Sequence, residues 1–176
     1  MLFSILFLLL HHFFLFGQVL KFENHYIIQF KGLKEGVHEF NFTISKPFFE
    51  EFEHLEVPDG NLDVNIELIK NTGFLELHIM LNGKIQVQCD RCLGYFQMPF
   101  DYNGHLMVRF NENPPESDDE VIYLYPDDSQ LDLKQYLYEC ISISIPYRKV
   151  HPDLPSGETG CDPEMLKRLK EHLAKE

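Results

Sequence analysis

The chain has 176 residues, a length that suggests one domain. Its 15 basic and 28 acidic residues leave a formal charge of −13, and 44% of the residues are aliphatic, aromatic or Cys. That is enough to build a core, which excludes wholesale disorder, while the acid excess excludes a protein that grips phosphate backbones through bulk positive charge.

Sixteen Phe and eight Tyr with no Trp favour a β-containing core. Four Cys are too few for a disulfide-dense scaffold. Residues 1–19 carry no charged side chain. Met1 to Leu10 are almost wholly apolar, and His11 and His12 then interrupt the run before Phe13 to Gly17. No Lys or Arg precedes this run and no small-x-small cleavage site follows it, so the signal-peptide pattern fits poorly. A membrane-spanning helix wants about 20 apolar residues between charged flanks. Residues 1–19 therefore read as an apolar extension translated from a start codon placed too early. The working protein then begins near Val19 or Leu20, forms a single domain over 20–176 and is cytoplasmic. An envelope protein anchored by Met1 to Phe16 is the alternative.

Tyr26 to Phe30 and Val37 to Ile44 are predicted strands, joined by a turn over Gly32 to Gly36. His38, Phe40, Phe42 and Ile44 alternate with Glu39, Asn41 and Thr43, which is period two. Pro47 suits a first helical position, and a short helix over Pro47 to Leu55 puts Phe48, Phe49, Phe52 and Leu55 on one face. Leu62, Val64, Ile66 and Leu68 alternate again. Asn71-Thr72-Gly73 is a turn signal. Phe74 to Leu81 is a strand, and Asn82-Gly83 is a strong two-residue hairpin signal. Ile85 and Val87 continue as a strand to Cys89. The parity resists this turn, because it sets Ile79 beside Gln86 and Met80 beside Ile85 on the same faces. Either both faces are partly covered or the turn carries a bulge.

Tyr95 to Phe110 reads as one or two strands, with Gly104 as a bend. Residues 111–120 hold Pro114, Pro115 and five acids, a solvated loop. Val121 to Tyr125 is a short strand. Ser129 to Ile145 is a predicted helix capped by Ser129, with Leu133, Tyr136, Leu137, Cys140 and Ile141 at helical spacing. Pro146 ends it. After a loop over His151 to Gly160, Asp162-Pro163-Glu164 opens a terminal helix with Met165, Leu166, Leu169 and Leu173 on one face. The fold class is α+β: a mostly antiparallel β-sheet with a CxxC hairpin knuckle, one core helix and a C-terminal helix.

Cys89-Asp90-Arg91-Cys92 is the sharpest chemical feature. Two thiols three positions apart, leaving a strand into a turn, suit one tetrahedral ion, and a closed structural zinc site needs about four ligands. Cys161 precedes a helix, where amide N–H groups favour thiolate. His151 lies ten residues earlier in the same loop. Cys89, Cys92, His151 and Cys161 are thus a candidate Cys3His set that would pin the tail onto the sheet. Two other readings stand beside it. A lone CxxC can be a redox pair, although that role expects a helix start. The thiols can also be unliganded turn residues. Cys140 reads as core. His78 and His105 lie in strands and read as satisfied or exposed rather than as ligands. Arg91 is a contact for phosphate or carboxylate, or a solvent-facing knuckle residue. From Phe110 to Leu133 there are eight acids and no Lys or Arg, a solvated stretch or a docking surface for a basic partner. No G-x-S-x-G, H-E-x-x-H or P-loop is present.

Val87-x-Cys89-x-Arg91-Cys92-Leu93 at a strand end resembles the YceD family, the large ribosomal RNA subunit accumulation proteins. The acidic gap, the Leu131 to Ile145 helix and its Ile145-Pro146-Tyr147-Arg148 exit match as well. The tail His151-Pro152…Cys161-Asp162-Pro163-Glu164 resembles the Bacteroidetes-like form. The likeness runs from about Phe22 to the end, and the apolar extension falls outside it. Other members carry a tail richer in Cys, whereas here His151 and Cys161 stand alone. The resemblance implies a cytoplasmic, non-enzymatic bacterial factor for accumulation of 23S rRNA of the large subunit. Its expected partner is a ribosomal protein or pre-rRNA particle, with no membrane. A redox or metal-dependent enzyme using Cys89 and Cys92 is the competing function.

Overall fold

The computed structural model describes residues 26–52, 56–113, 115–116 and 121–174. The apolar extension, Leu55, Pro114 and residues 117–120 of the acidic loop lie outside the described residues. Among the described residues, five strands form one sheet in which neighbours follow chain order. They are β2 (Gly36–Ile44), β3 (Asp59–Lys70), β4 (Phe74–Gln88), β5 (Tyr95–Phe110) and β6 (Val121–Leu124). The first four pair antiparallel, and β6 joins β5 in parallel. A separate two-stranded ribbon pairs β1 (Ile27–Ile28) with β7 (Leu131–Asp132). The helices are α1 (Lys46–Glu50), α2 (Lys134–Ser144) and α3 (Pro163–Leu173).

The sheet is two-faced because its strands alternate. Leu62, Val64, Ile66 and Leu68 of β3 are buried, as are Leu75, Leu77, Ile79 and Leu81 of β4 and Leu106 and Val108 of β5. The same core takes in Phe48 and Phe49 of α1 and Tyr136, Leu137, Cys140 and Ile141 of α2. Phe52 stacks on Tyr138 with ring centroids 4.1 Å apart, which ties the end of α1 to α2. The opposite sheet face carries Glu39, Asn41, Asp63, Glu67, Met80 and Asn103 and meets solvent.

Three expectations are corrected. Asn82-Gly83 makes no hairpin: β4 runs straight through it, with Gly83 opposite Leu62 on one side and Phe100 on the other. A turn there would direct Lys84 and Gln86 inward and expose Ile85 and Val87. Keeping the strand straight preserves the odd-numbered parity from Leu75 to Val87 and buries both side chains completely. At about 1.5–3 kcal/mol for each, tertiary burial outweighs the local turn preference. Gly83 is instead required by a close approach, since a Cβ there would stand 2.1 Å from the Asn61 carbonyl oxygen. Gly104 is likewise no bend, because it keeps register with Ile79 in one continuous 16-residue strand.

The core helix begins at Lys134 rather than Ser129. Leu131 pairs with Ile28 and is itself buried, so the segment is held extended by the ribbon. Asp132, not Ser129, meets the first free amide, accepting from Lys134 N at 2.9 Å. The terminal helix starts where expected, with Asp162 Oδ1 accepting from Glu164 N at 2.9 Å.

Candidate metal centre

The turn that does join two long strands is Cys89-Asp90-Arg91-Cys92-Leu93-Gly94, between β4 and β5. Cys89 N donates to the Gly94 carbonyl at 2.9 Å, and Leu93 N to the Cys89 carbonyl at 2.9 Å. Leu93 closes the turn at φ +60°, a left-handed conformation that side chains other than Gly rarely adopt. The expected CxxC knuckle is therefore present, and it leaves a strand into a hairpin instead of opening a helix. A thioredoxin-like pair would need the helix start.

The tail comes back to this knuckle. After α2, Lys149 locks onto Asp90: Asp90 N donates to the Lys149 carbonyl at 2.7 Å, and Lys149 N donates to Asp90 Oδ2 at 2.5 Å. Lys149 Nζ reaches Glu56 at 2.7 Å. His151 then stands against Phe96, ring centroids 4.6 Å apart. The loop folds back through an Asp153–Thr159 bridge, and Gly160 N donates to the Pro152 carbonyl at 3.2 Å. Gly160 has no room for a side chain, since a Cβ would lie 2.6 Å from that carbonyl oxygen.

This closure brings Cys89, Cys92, His151 and Cys161 together. Their donor atoms all lie within 4.8 Å of one another, and the three thiols are buried. Cys89 Sγ is 3.7 Å from Cys161 Sγ, Cys92 Sγ is 3.3 Å from His151 Nδ1, and Cys161 Sγ is 3.8 Å from the same nitrogen. Zinc bonds of about 2.3 Å to sulfur and 2.0–2.1 Å to nitrogen give tetrahedral edges of about 3.8 Å for S–S and 3.6 Å for S–N. The donor set thus has the size of a zinc tetrahedron. The S–S separation is far beyond a disulfide bond of about 2.05 Å.

The surroundings favour the thiolate form at Cys89. Burial alone pushes the Cys89 thiol up, but the amides of Cys92, Arg91 and His151, with the His151 ring, bring it down to about 6. Burial raises Cys92, against the amides of Asp162 and Gly94. Arg91 Nε donates to Cys161 Sγ at 3.2 Å and its Nη2 to Thr159 Oγ1 at 2.7 Å. Thr159 Oγ1 also accepts from Cys161 N at 3.2 Å. The guanidinium proton is held more tightly than usual, chiefly through the bond to Cys161. The solvent-facing reading of Arg91 is corrected: its part-buried guanidinium turns onto a sulfur of the cluster. Residue type and position between two Cys give no sign of this, and no local sequence signal marks Thr159 or the Asp90–Lys149 clasp.

The remaining sequence-predicted groups separate from the cluster. Cys140 lies in the main core beside Tyr102 and Tyr136, and burial raises its thiol. Asn111 to Asn113 and Glu116, at the described part of the acidic loop, are exposed.

The family model for YceD, the large ribosomal RNA subunit accumulation protein, matches residues 77–176, more than half of the chain. The chain belongs to the YceD family. The matched YceD region contains all four donors of the cluster and runs from β4 to the end of α3. No curated protein and no solved structure matches the chain. Among the described residues, no helix is long and apolar enough to cross a membrane.

Proposed function

We propose that this YceD protein is a cytoplasmic, non-enzymatic factor in large-subunit ribosome biogenesis. It supports accumulation of 23S rRNA, and a structural zinc held by Cys89, Cys92, His151 and Cys161 fastens its tail to the sheet. The observation that carries the reading is a coincidence of two facts. The stretch matched by the family is the stretch that assembles a tetrahedron-sized donor set from residues 59 and 72 positions apart in sequence.

Each donor has a defined part. Cys89 and Cys92 supply two thiolates from a turn whose amides already point at sulfur. His151 and Cys161 supply the other half from the returning loop, and Arg91 fixes Cys161 from outside the tetrahedron. Four protein donors fill a tetrahedral ion, so the metal supplies cohesion rather than an open position for substrate. The domain over 20–176 then acts as one body, with the tail presented in a fixed place.

The charge of −13 supports a protein contact over broad RNA contact. A basic ribosomal protein, or the pre-ribosomal particle that carries it, fits an acidic surface.

The test is depletion in the native host with quantification of precursor and mature 23S rRNA. Wild-type protein restores mature 23S rRNA, and a Cys89→Ser/Cys92→Ser variant restores it less. Unchanged 23S rRNA on depletion refutes the biogenesis role. Elemental analysis of the purified native protein is the separate test of the zinc.

A further inference from the structure

A second group of metal-ligating side chains stands on the opposite, solvent-facing side of the sheet. Glu76 and His78 alternate along β4 and so share a face, and His105 of β5 lies directly across from His78. Glu76 Oε1 is 3.0 Å from His105 Nε2 and 3.5 Å from His78 Nε2. The two rings tilt at 52° with centroids 5.1 Å apart. The three ligand atoms all lie within 4.8 Å of one another.

We propose that Glu76, His78 and His105 form a second metal site, which binds one borderline divalent ion such as Zn²⁺ or Ni²⁺ in an open, surface-accessible coordination. The ligand set is two imidazoles and a carboxylate, the nitrogen–oxygen class that suits zinc and nickel better than calcium or magnesium. The spacing fits. Metal–ligand bonds of about 2.0–2.1 Å put neighbouring ligand atoms about 2.9 Å apart at octahedral angles and about 3.4 Å apart at tetrahedral ones. The Glu76–His105 and Glu76–His78 separations of 3.0 and 3.5 Å fall at these edges.

The arrangement is also rigid. All three residues sit on two adjacent strands whose register runs unbroken from Phe74 to Gln88, so little backbone ordering remains for the ion to impose. When the two Nε2 atoms carry lone pairs, they and the carboxylate oxygen converge as three acceptors, and a cation between them relieves the conflict. Glu67 of β3 holds the register position across from His78 on its other side, which adds negative charge to the same row. Both His side chains are 44% exposed and Glu76 30%, so water or a further ligand reaches the remaining positions.

This site is independent of the cysteine centre. Eleven residues of extended strand, roughly 35 Å, separate His78 from Cys89 along β4. It rests on neither the zinc reading nor the ribosomal one.

The experiment is calorimetric titration of Ni²⁺ into the untagged full-length protein, with the near-ultraviolet thiolate-to-nickel absorption followed in parallel. One equivalent is expected to bind without that absorption. His78→Asn and His105→Asn each weaken it by about tenfold or more, and the double variant abolishes it. Glu76→Gln weakens it as well, and circular dichroism verifies that each variant is folded. A Cys89→Ser/Cys161→Ser variant retains this equivalent, whether or not the native protein contains zinc. Absence of binding in the wild type, or binding that survives in His78→Asn/His105→Asn, overturns the proposal. In the second case the ion sits elsewhere.

Discussion

Metal removal should release the C-terminal tail while the sheet stays folded. The structure shows why the two parts separate. Helix α3 has no buried residue of its own, and only Met165 and Leu166 lean on the cysteine cluster. The loop from His151 to Gly160 is mostly exposed. Besides the cluster, the tail holds on through the Asp90–Lys149 clasp and the Arg91–Thr159 bond. Hydrogen bonds of this kind contribute about 0.5–1.5 kcal/mol net each. A structural zinc contributes on the order of 10–16 kcal/mol in apparent binding free energy. The tail provides two of the four donors, so about half of that figure, at least about 5 kcal/mol, holds it in place. At 1.4 kcal/mol per decade, amide protection across residues 150–174 should fall by at least about 10³-fold when the ion is stripped. The assay is hydrogen exchange by mass spectrometry on reduced protein, before and after a chelator. Peptides from β3, β4 and β5 are the internal control and should keep their protection. Tail protection that stays within about threefold of the loaded protein would refute the clip.

Three further outcomes follow from the same geometry. Cys161→Ser should remove stoichiometric zinc, whereas Cys140→Ser should leave it unchanged because Cys140 sits in the main core; elemental analysis separates the two. Arg91→Ala should weaken zinc by about 10–100-fold in chelator competition, and Arg91→Lys should recover only part of that, because it keeps the charge but lacks the fork that reaches Cys161 and Thr159 together. Gly83→Ala should cost about 3 kcal/mol or more in chemical unfolding, because its Cβ would press on the Asn61 carbonyl 2.1 Å away. A loop-like tolerance at Gly83 would instead favour the turn that the local sequence suggests.

Much of the fold was legible in local pattern. Period-two alternation marks β2, β3 and the first half of β4, and Asp162-Pro163 marks the start of α3 because a cap is a matter of a few neighbouring residues. At Asn82-Gly83 strand parity outweighs a dipeptide preference for a turn. The parity conflict was already visible in Ile79 and Gln86, and the cost of exposing Ile85 and Val87 explains which signal prevails. The displaced start of α2 was not legible, because it depends on Ile28 pairing with Leu131 more than a hundred residues away.

By itself, the sequence determined which residue types have the chemistry to hold an ion and which strands have two faces. Those properties reside in side-chain identity and in spacings of a few residues. Tertiary structure alone decided that Cys89 and Cys161 stand 3.7 Å apart, that Arg91 turns onto sulfur, and that His78 meets His105 across a strand pair. Each depends on how distant segments pack, and packing is settled by the burial of the whole core rather than by any local run of residues.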